Sequence, residues 1–582
     1  MNKYVADQSS KLSGAQAVVR YLAERGVKYI YGYPGGSLLH IYDALYKQDA
    51  VNHVLVRHEQ SATHMADAYA RATGIPGVVL VTSGPGVTNT VTGIATAYMD
   101  SIPMIVIAGQ VVSDEIGSDA FQETDVIGLT LPIVKHSLVV DAPQNIANIL
   151  EKAFHIASTG RPGPVVVVIP KDMTVPGERF QYVSPKPVTL RSYKPNVSGH
   201  MGQIKKAFEL IKKAQRPVIL AGGGVVSDDA SKSLYQFAKA LGFPVVNTLM
   251  GLGSFPGSDP QFLGMLGLHG SYTANMAMHQ SDLVINIGSR LDDRITNATD
   301  KFCPYAKIIH VDIDPASISK TIRADIPIVS TAASFLEEIL FLVAKEMEGR
   351  IAIDIVDWLQ KIDAWKAEQE QIGIYRPDTS IKPQQVIESV YKATKGNAFI
   401  CSDVGQHQMF TAQHYKFDLP RRWINSGGLG TMGFGFPAAM GVKLNFQDQD
   451  VVCITGDGSI QMNIQELSTC SEYNIPVKII CLNNNSLGMV RQLQDLNYEG
   501  RHSNSYMESL PDFVKLVEAY GHVGLEVSRL DQLDSIIEKA FSMTDRLVFV
   551  NVLVDPEEHV YPIQVPRGAM CDMWVSKTER TN

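Results

Sequence analysis

One pattern repeats along most of the chain: a short, unbroken apolar run, a glycine-rich turn, then a helix-like segment. Val78–Val81 precedes TSGPG, Met104–Ala108 precedes GQ, and Val165–Ile169 precedes PKD. Val218–Ala221 precedes GGG, Leu283–Ile287 precedes GSR, and Ile308–Ile313 follows. Val451–Thr455 precedes GDG, Ile479–Leu482 precedes NNN, and Val548–Val554 closes the series. Runs without polar alternation fit strands buried on both faces, the situation in a parallel sheet covered by helices. Strands alternating with helices imply an α/β protein of stacked, doubly wound parallel-sheet domains. Ligand loops are then expected at the carboxyl ends of the strands.

Two stretches break the pattern. YVSPKPVTLRSYKPNVSGH, within roughly Pro176–Met201, is rich in Pro, Ser and Lys; a charged helical segment around Asp354–Gln371 leads into GIYRPDTSIKP. Read as linkers, they divide the 582 residues into an N-terminal domain (1–180), a linker (181–200), a central domain (201–345), a second linker (346–385), a C-terminal domain (386–560) and an arm (561–582).

Composition narrows the function. Lys and Arg number 51 against 60 Asp and Glu, a formal charge of −9, which argues against a broad nucleic-acid surface. The six cysteines, Cys303, Cys401, Cys453, Cys470, Cys481 and Cys571, are scattered without a CxxC pair, as in a reduced protein with packed thiols. No apolar run approaches the roughly 18 residues of a membrane span. The opening MNKYVADQSSKLSG has neither a signal core nor an Arg-rich transit pattern, so the expected location is the cytoplasm.

The most informative stretch is VVCITGDGSIQMNIQELSTCSEYNIPVKIICLNNNSLGMV. It predicts strand, turn, helix, strand and an Asn cluster. Asp457 and Asn484 lie 484 − 457 = 27 residues apart, one strand–helix–strand unit, which allows both side chains to meet at adjacent strand ends. A carboxylate, an amide oxygen and a backbone carbonyl make the hard-oxygen half-shell that magnesium completes with water and phosphate. A helix beginning near Ser459 would aim free N–H groups at a diphosphate. An isolated GDG is usually a surface turn; the second strand ending in NN is what favours a site.

This stretch resembles the thiamine-diphosphate motif. The resemblance implies Asp457, Asn484 and the main-chain carbonyl of Ser486 as metal ligands, with Gly458 and Ser459 at the diphosphate. GQHQM, with Gly405, Gln406 and His407, and GGLGTMGFG match further cofactor loops. Gly430 would accept a bond from the pyrimidine amino group, and Met432 would wedge between the cofactor rings, although a methionine more often only fills a core.

Glu59, in RHEQ, would ordinarily be a solvated helix-entry charge. Thiamine chemistry gives it a use: a carboxyl group hydrogen-bonded to pyrimidine N1′ favours the imino tautomer, in which the cofactor deprotonates its own thiazolium carbon. A glutamate in a water-poor pocket has the raised pKa this needs. With the diphosphate site in another block, the active site should span two blocks, in the family those of two chains. Gly36, in PGG, is the candidate backbone donor to a developing oxyanion.

More closely, the chain resembles the acetohydroxyacid synthase family over nearly its whole length, from about Ser13 to PEEHVYPIQVPRGAM. YGYPGGSLLHIYDAL, RHEQSATHMADAYARATG, DAFQETD, GRPGPVVVVIPKD, LGMLGLHG, GSRLDDRIT and SGGLGTMGFGFPAAMG carry the likeness together. It implies decarboxylation of pyruvate and ligation of the two-carbon unit to a second 2-ketoacid. Pyruvate gives 2-acetolactate and 2-ketobutyrate gives 2-aceto-2-hydroxybutyrate, precursors of valine, leucine and isoleucine. Arg294 would grip the second carboxylate bidentately; otherwise it is a salt bridge with Asp292 or Asp293. Gln122 would bond an intermediate's hydroxyl, Phe121 would pack on the substrate methyl, and Lys171 would line the access route. The resemblance also implies a homodimer or dimer of dimers and a small regulatory subunit.

The family usually has Trp where GMVRQ is followed here by Leu493. Losing the indole removes a large contact surface, so Val490 and Leu493 are specificity positions with a weaker expected preference for 2-ketobutyrate. The central block lacks a clean GxGxxG, yet by resemblance it binds FAD in a non-redox role. Matching positions are Arg161, Gly223, Thr248, Leu249, Leu266, Gly267, Leu268, His269, Gly288, Arg290, Asp292, Asp312, Ile313, Asp325 and Ile326. The rival readings are a pyruvate oxidase-type flavoenzyme, a nicotinamide oxidoreductase and a non-catalytic scaffold.

Overall fold

The computed structural model describes residues 11–347, 353–372 and 380–581. The first ten residues, on which the reading of the N-terminus depends, and parts of the second linker segment lie outside the described residues.

The apolar runs form strands, buried throughout. Pro164–Pro170 and Met104–Gln110 are covered on both faces, as are Pro217–Ala221 and Leu283–Ile287. Among the described residues they assemble into three six-stranded sheets, parallel throughout. In the first, the spatial order is Asn52–Leu55, Tyr29–Tyr33, Gly77–Val81, Met104–Gln110, Pro164–Pro170, His136–Val139. The last sheet repeats this topology: Trp423–Asn425, Phe399–Ser402, Val451–Gly456, Lys478–Asn483, Val548–Leu553, Val523–Val527. The middle sheet runs Phe262–Met265, Val245–Asn247, Pro217–Ala221, Leu283–Ile287, Lys307–Asp312, Ile326–Val329. Each order reverses direction once or more, and ligand crevices open at such switch points.

The two outer blocks share one apolar core. Met65, Val79 and Val106 belong to the same buried cluster as Phe399, Cys453 and Ile479. The contact is made by helix Glu59–Thr73 lying against helix Gly435–Asn445. Alanines in the first helix and Gly441 in the second let the backbones approach; a Cβ on Gly441 would lie 2.4 Å from the Met65 carbonyl oxygen. Glu59 therefore begins an element clamped against the C-terminal block.

Residues 182–200 contain neither helix nor strand. The second expected linker differs: it contains helix Val356–Gln371, which is packed. Trp358, Ile362 and Trp365 enter the middle core, and the Trp358 indole N–H donates to the Pro217 carbonyl at 3.1 Å. The arm also returns to the middle block, where Met570 and Met573 are buried and the Gln564 N–H donates to the Leu268 carbonyl at 2.8 Å.

Gly441→Val should push the two helices apart and lower stability by roughly 1–3 kcal/mol, as overpacking of a close contact does. Chemical denaturation followed by circular dichroism measures this, and an unchanged midpoint would contradict the close-packing account.

Candidate functional site

The C-terminal strand ends border a half-open cavity, the empty part of which comes to about 70 Å³. It is lined by Gly405, Gln406, His407, Met432, Gly456, Asp457, Gly458, Ser459, Asn484, Ser486, Gly488 and Val490, among others. Three helices begin at its wall: Gln406–His414, Asp457–Ile460 and Gly488–Tyr498. Each start leaves backbone N–H groups without an intrahelical partner, and three together make an anion site. The short helix after GDG begins at Asp457, two residues before the expected Ser459, because the turn closes as soon as Gly456 leaves the strand.

Asp457 is 1% exposed, and its Oδ2 has no hydrogen-bond partner. Burial is the chief cause that pushes its carboxyl up to about 6, against backbone N–H groups of Asn484, Ser486 and Gly458 that hold it down. A buried carboxylate with one oxygen idle beside an amide and a carbonyl suits a hard cation. Asn484 sits alongside: its Oδ1 accepts the Ser486 N–H at 3.1 Å, and its Nδ2 donates to Gln406 Oε1 at 3.2 Å. Among the described residues no group of three or more His, Cys, Asp or Glu is placed to hold a metal; the donor set at Asp457 is of the one-carboxylate kind. His407 is buried, which pushes its imidazole down to about 3, so it meets the cavity neutral, with Nε2 unpartnered.

The loop with Gly430 and Met432 is fixed from behind by Asp403, fully buried at the end of strand Phe399–Ser402. Its Oδ1 accepts the N–H of Gly433 at 2.8 Å and of Val404 at 3.0 Å. Gln406 Nε2 donates to Gln492 Oε1 at 2.8 Å, and Gln492 in turn accepts the Val560 N–H at 2.9 Å, which ties the cavity wall to the approach of the arm. Asp403 stood in no recognisable motif, and Gln492, though within GMVRQ, was given no role.

In the N-terminal block, Glu59 is half-buried and its Oε2 accepts the Asn89 side-chain N–H at 2.9 Å. The backbone just before it is held across the block boundary: Glu466 accepts the N–H of Arg57 at 3.0 Å and of His58 at 3.1 Å. Glu466 is another buried acid that sequence reasoning missed. Gly36 is exposed at the switch point of this sheet, where Ser37 Oγ lies 2.9 Å from Thr82 Oγ1. Gln122 has φ +60° and is half-buried; Lys171 follows strand Pro164–Pro170 and is also half-buried. Phe121 is 89% exposed, so within one chain it covers nothing. Apart from Pro383, at the end of the expected second linker, every described residue that lines the cavity belongs to the C-terminal block, and Glu59 is not among them.

In the middle block, the carboxyl ends of the strands bring together Gly223, Thr248, Leu249, the Leu266–His269 run, Gly288, Arg290, Asp292, Asp312 and Ile313. The Gly224 N–H donates to the Gly288 carbonyl at 3.0 Å. Buried Asn247 Oδ1, Asn286 Oδ1, His269 Nδ1 and Asp292 Oδ1 have no partner, which suits a ligand rich in polar groups. Asp312 is buried, and burial pushes its carboxyl up to about 6. Arg161 reaches over from the N-terminal block to Asp314 at 3.1 Å. Asp325 and Ile326 do not join this group. They stand at the opposite end of the sheet, where Asp325 meets Lys307 at 3.0 Å and accepts the Ile308 N–H. Arg294 is largely exposed, 3.6 Å from Asp293. Val490 and Leu493 share one face of helix Gly488–Tyr498, and both are exposed.

Asp457→Asn should raise the melting temperature of the cofactor-free protein, because it removes an uncompensated buried charge. If the site takes a metal diphosphate, as its resemblance implies, the variant should also lose the stabilisation that added Mg2+ with thiamine diphosphate is expected to give the unmodified chain. Thermal melts with and without both ligands test this; undiminished stabilisation of the variant would refute the assignment.

Three family models match the chain: thiamine pyrophosphate enzyme, N-terminal TPP binding domain (12–129), central domain (204–339) and C-terminal TPP binding domain (403–552). The chain is 58% identical over 573 residues to an acetolactate synthase large subunit of Haemophilus influenzae, covering 98% of this chain and 100% of that one. It is 56% identical to the acetolactate synthase isozyme 3 large subunit of Escherichia coli, with 98% and 100% covered. The acetolactate synthase large subunit of Corynebacterium glutamicum is 46% identical, with 95% and 88% covered. The anion-binding cavity, the three-block fold and this end-to-end similarity place the chain in the acetolactate synthase large-subunit family of thiamine pyrophosphate enzymes.

Proposed function

We propose that the chain is the catalytic subunit of an acetohydroxyacid synthase, joining the two-carbon unit of pyruvate to pyruvate or 2-ketobutyrate for branched-chain amino-acid synthesis. The observation that carries this is the cavity in which three helix starts surround the idle carboxylate oxygen of Asp457, in a chain similar end to end to acetolactate synthase large subunits.

Bound thiamine diphosphate would supply the carbanion chemistry that removes CO2 from a 2-ketoacid. The rest is the protein's work. Asp457, the Asn484 amide oxygen and the Ser486 carbonyl hold Mg2+; the N–H groups at Gln406, Gly458, Ser459 and Gly488 take the diphosphate. Gly430 and Met432 would hold the pyrimidine end of the cofactor. Glu59 holds a proton at pyrimidine N1′. Gly36 offers a backbone N–H where negative charge develops, Gln122 and Phe121 position the substrate, and Lys171 lines the way in. Arg294 is free enough to take a second carboxylate, since its contact with Asp293 is exposed and weak.

The lining of the cavity, from Pro383 to Val554, includes neither Glu59 nor exposed Phe121, which supports a reading in which a second copy of the chain supplies them. The minimal unit in this reading is a dimer. The middle crevice holds FAD as a structural group, with Asp325 and Ile326 outside its reach. The printed names of the relatives, "large subunit", support a small regulatory partner. Among the described residues no helix is long and apolar enough to cross a membrane. The six free cysteines, five of them buried, support a reducing compartment, the cytoplasm.

Glu59→Gln should lower acetolactate formation from pyruvate about 100-fold or more, the usual worth of a positioned proton carrier, with Mg2+ and thiamine diphosphate binding retained. A variant with near-normal turnover would exclude Glu59. With both ketoacids present, Leu493 should give a product ratio close to the substrate ratio; a strong bias to 2-aceto-2-hydroxybutyrate would show that the missing indole is not what sets preference.

A further inference from the structure

All three blocks meet at the start of the loop that carries Gly430 and Met432. The N–H groups of Gly427 and Gly428 donate to the two carboxylate oxygens of Asp100, at 3.0 and 2.7 Å. Asp100 ends helix Val91–Asp100 of the N-terminal block. Its Oδ2 also accepts Arg71 Nη2 at 2.9 Å, and Arg71 Nε donates to Asp67. These side chains are almost fully enclosed, at 1% for Asp100, 5% for Arg71 and 0% for Asp67. The middle block closes the other side: a Cβ on Gly427 would lie 2.3 Å from Met250 Sδ, and one on Gly428 2.7 Å from Asp100 Oδ1 and 3.3 Å from Arg290 Nη2.

One guanidinium between two carboxylates leaves one negative charge in excess. Buried charge must be compensated, and the two glycine N–H groups do this for Asp100. The dependence is mutual, because the half-buried N–H groups of Gly427 and Gly428 find their acceptors in Asp100. Charge-assisted bonds to both oxygens of one carboxylate set distance and orientation together. Four residues on, Thr431 Oγ1 meets Thr96 Oγ1 at 2.7 Å, so the same helix of the N-terminal block holds the loop twice.

We propose that Asp100, oriented by Arg71, is a positioning residue that latches the Gly427–Gly433 loop in the conformation that receives thiamine diphosphate. The proposal rests on the cofactor reading given above. Asn at position 100 would keep one acceptor and turn an NH2 toward a glycine N–H or Arg71. Asn at position 67 also removes a buried carboxylate from Arg71, but touches no loop atom.

Calorimetric titration of thiamine diphosphate, with Mg2+, into the cofactor-free full-length protein separates the two. Asp100→Asn should weaken binding about tenfold or more, and Asp67→Asn less than about threefold, although both lose thermal stability. Equal weakening by the two variants, or wild-type affinity in Asp100→Asn, would overturn the latch. If Asp100→Asn does not fold, Gly428→Ala tests the same contact from the other side: weakened binding supports the latch, and wild-type affinity contradicts it. No binding to the unmodified protein would instead overturn the cofactor assignment, and the latch with it.

Discussion

A carboxylate oxygen buried without a partner is the constraint around which the C-terminal block is organised. Asp457 is enclosed, yet one of its oxygens meets no donor. A fold retains such a group only where something compensates it, and no cation of the described chain lies at hand. The surrounding N–H groups of three helix starts point the same way with the opposite sign, since they call for an anion. A site that calls for a cation at one point and an anion around it is the arrangement on which the proposed metal diphosphate reading rests.

That cavity gains meaning from the way the blocks divide the work. Three helix starts line a cavity in the last block, the candidate proton carrier Glu59 stands in the first, and unpartnered buried polar atoms such as Asn247 Oδ1 and Asn286 Oδ1 gather in the middle. Buried acids stitch the two outer blocks: Glu466 holds the backbone entering Glu59 and Asp100 holds Gly427 and Gly428, while Asp403 holds Gly433 within the last block. Each carboxylate accepts hydrogen bonds from backbone N–H groups of another element. This keeps loops still without building them into a sheet.

Much of the fold was legible because long apolar runs have few ways to hide. Strands such as Pro164–Pro170 and Val548–Leu553 announce themselves by unbroken β-branched residues. Val245–Asn247 and Trp423–Asn425 do not, since three residues carry no period; their neighbours define them. Helix Val356–Gln371 was legible as a helix but read as a linker, because its charges hid the Trp358, Ile362 and Trp365 face that packs on the core. At the site, the GDG and NN turns were readable because a tight turn after a strand restricts residue type. Asp403, Glu466 and Asp100 were not, since a lone acid acquires its role only from what burial brings against it. Asp325 shows the converse, a motif match whose strand end faces away from the crevice.

The central claim is that one active site draws its metal ligands from one chain and its proton carrier from another. Co-folding chains bearing Glu59→Gln with chains bearing Asp457→Asn tests it most directly. In a mixed dimer, one site then combines the intact Glu59 of the second with the intact Asp457 of the first. The account predicts that acetolactate formation returns on mixing two inactive variants; a mixture as inactive as its parents would contradict it.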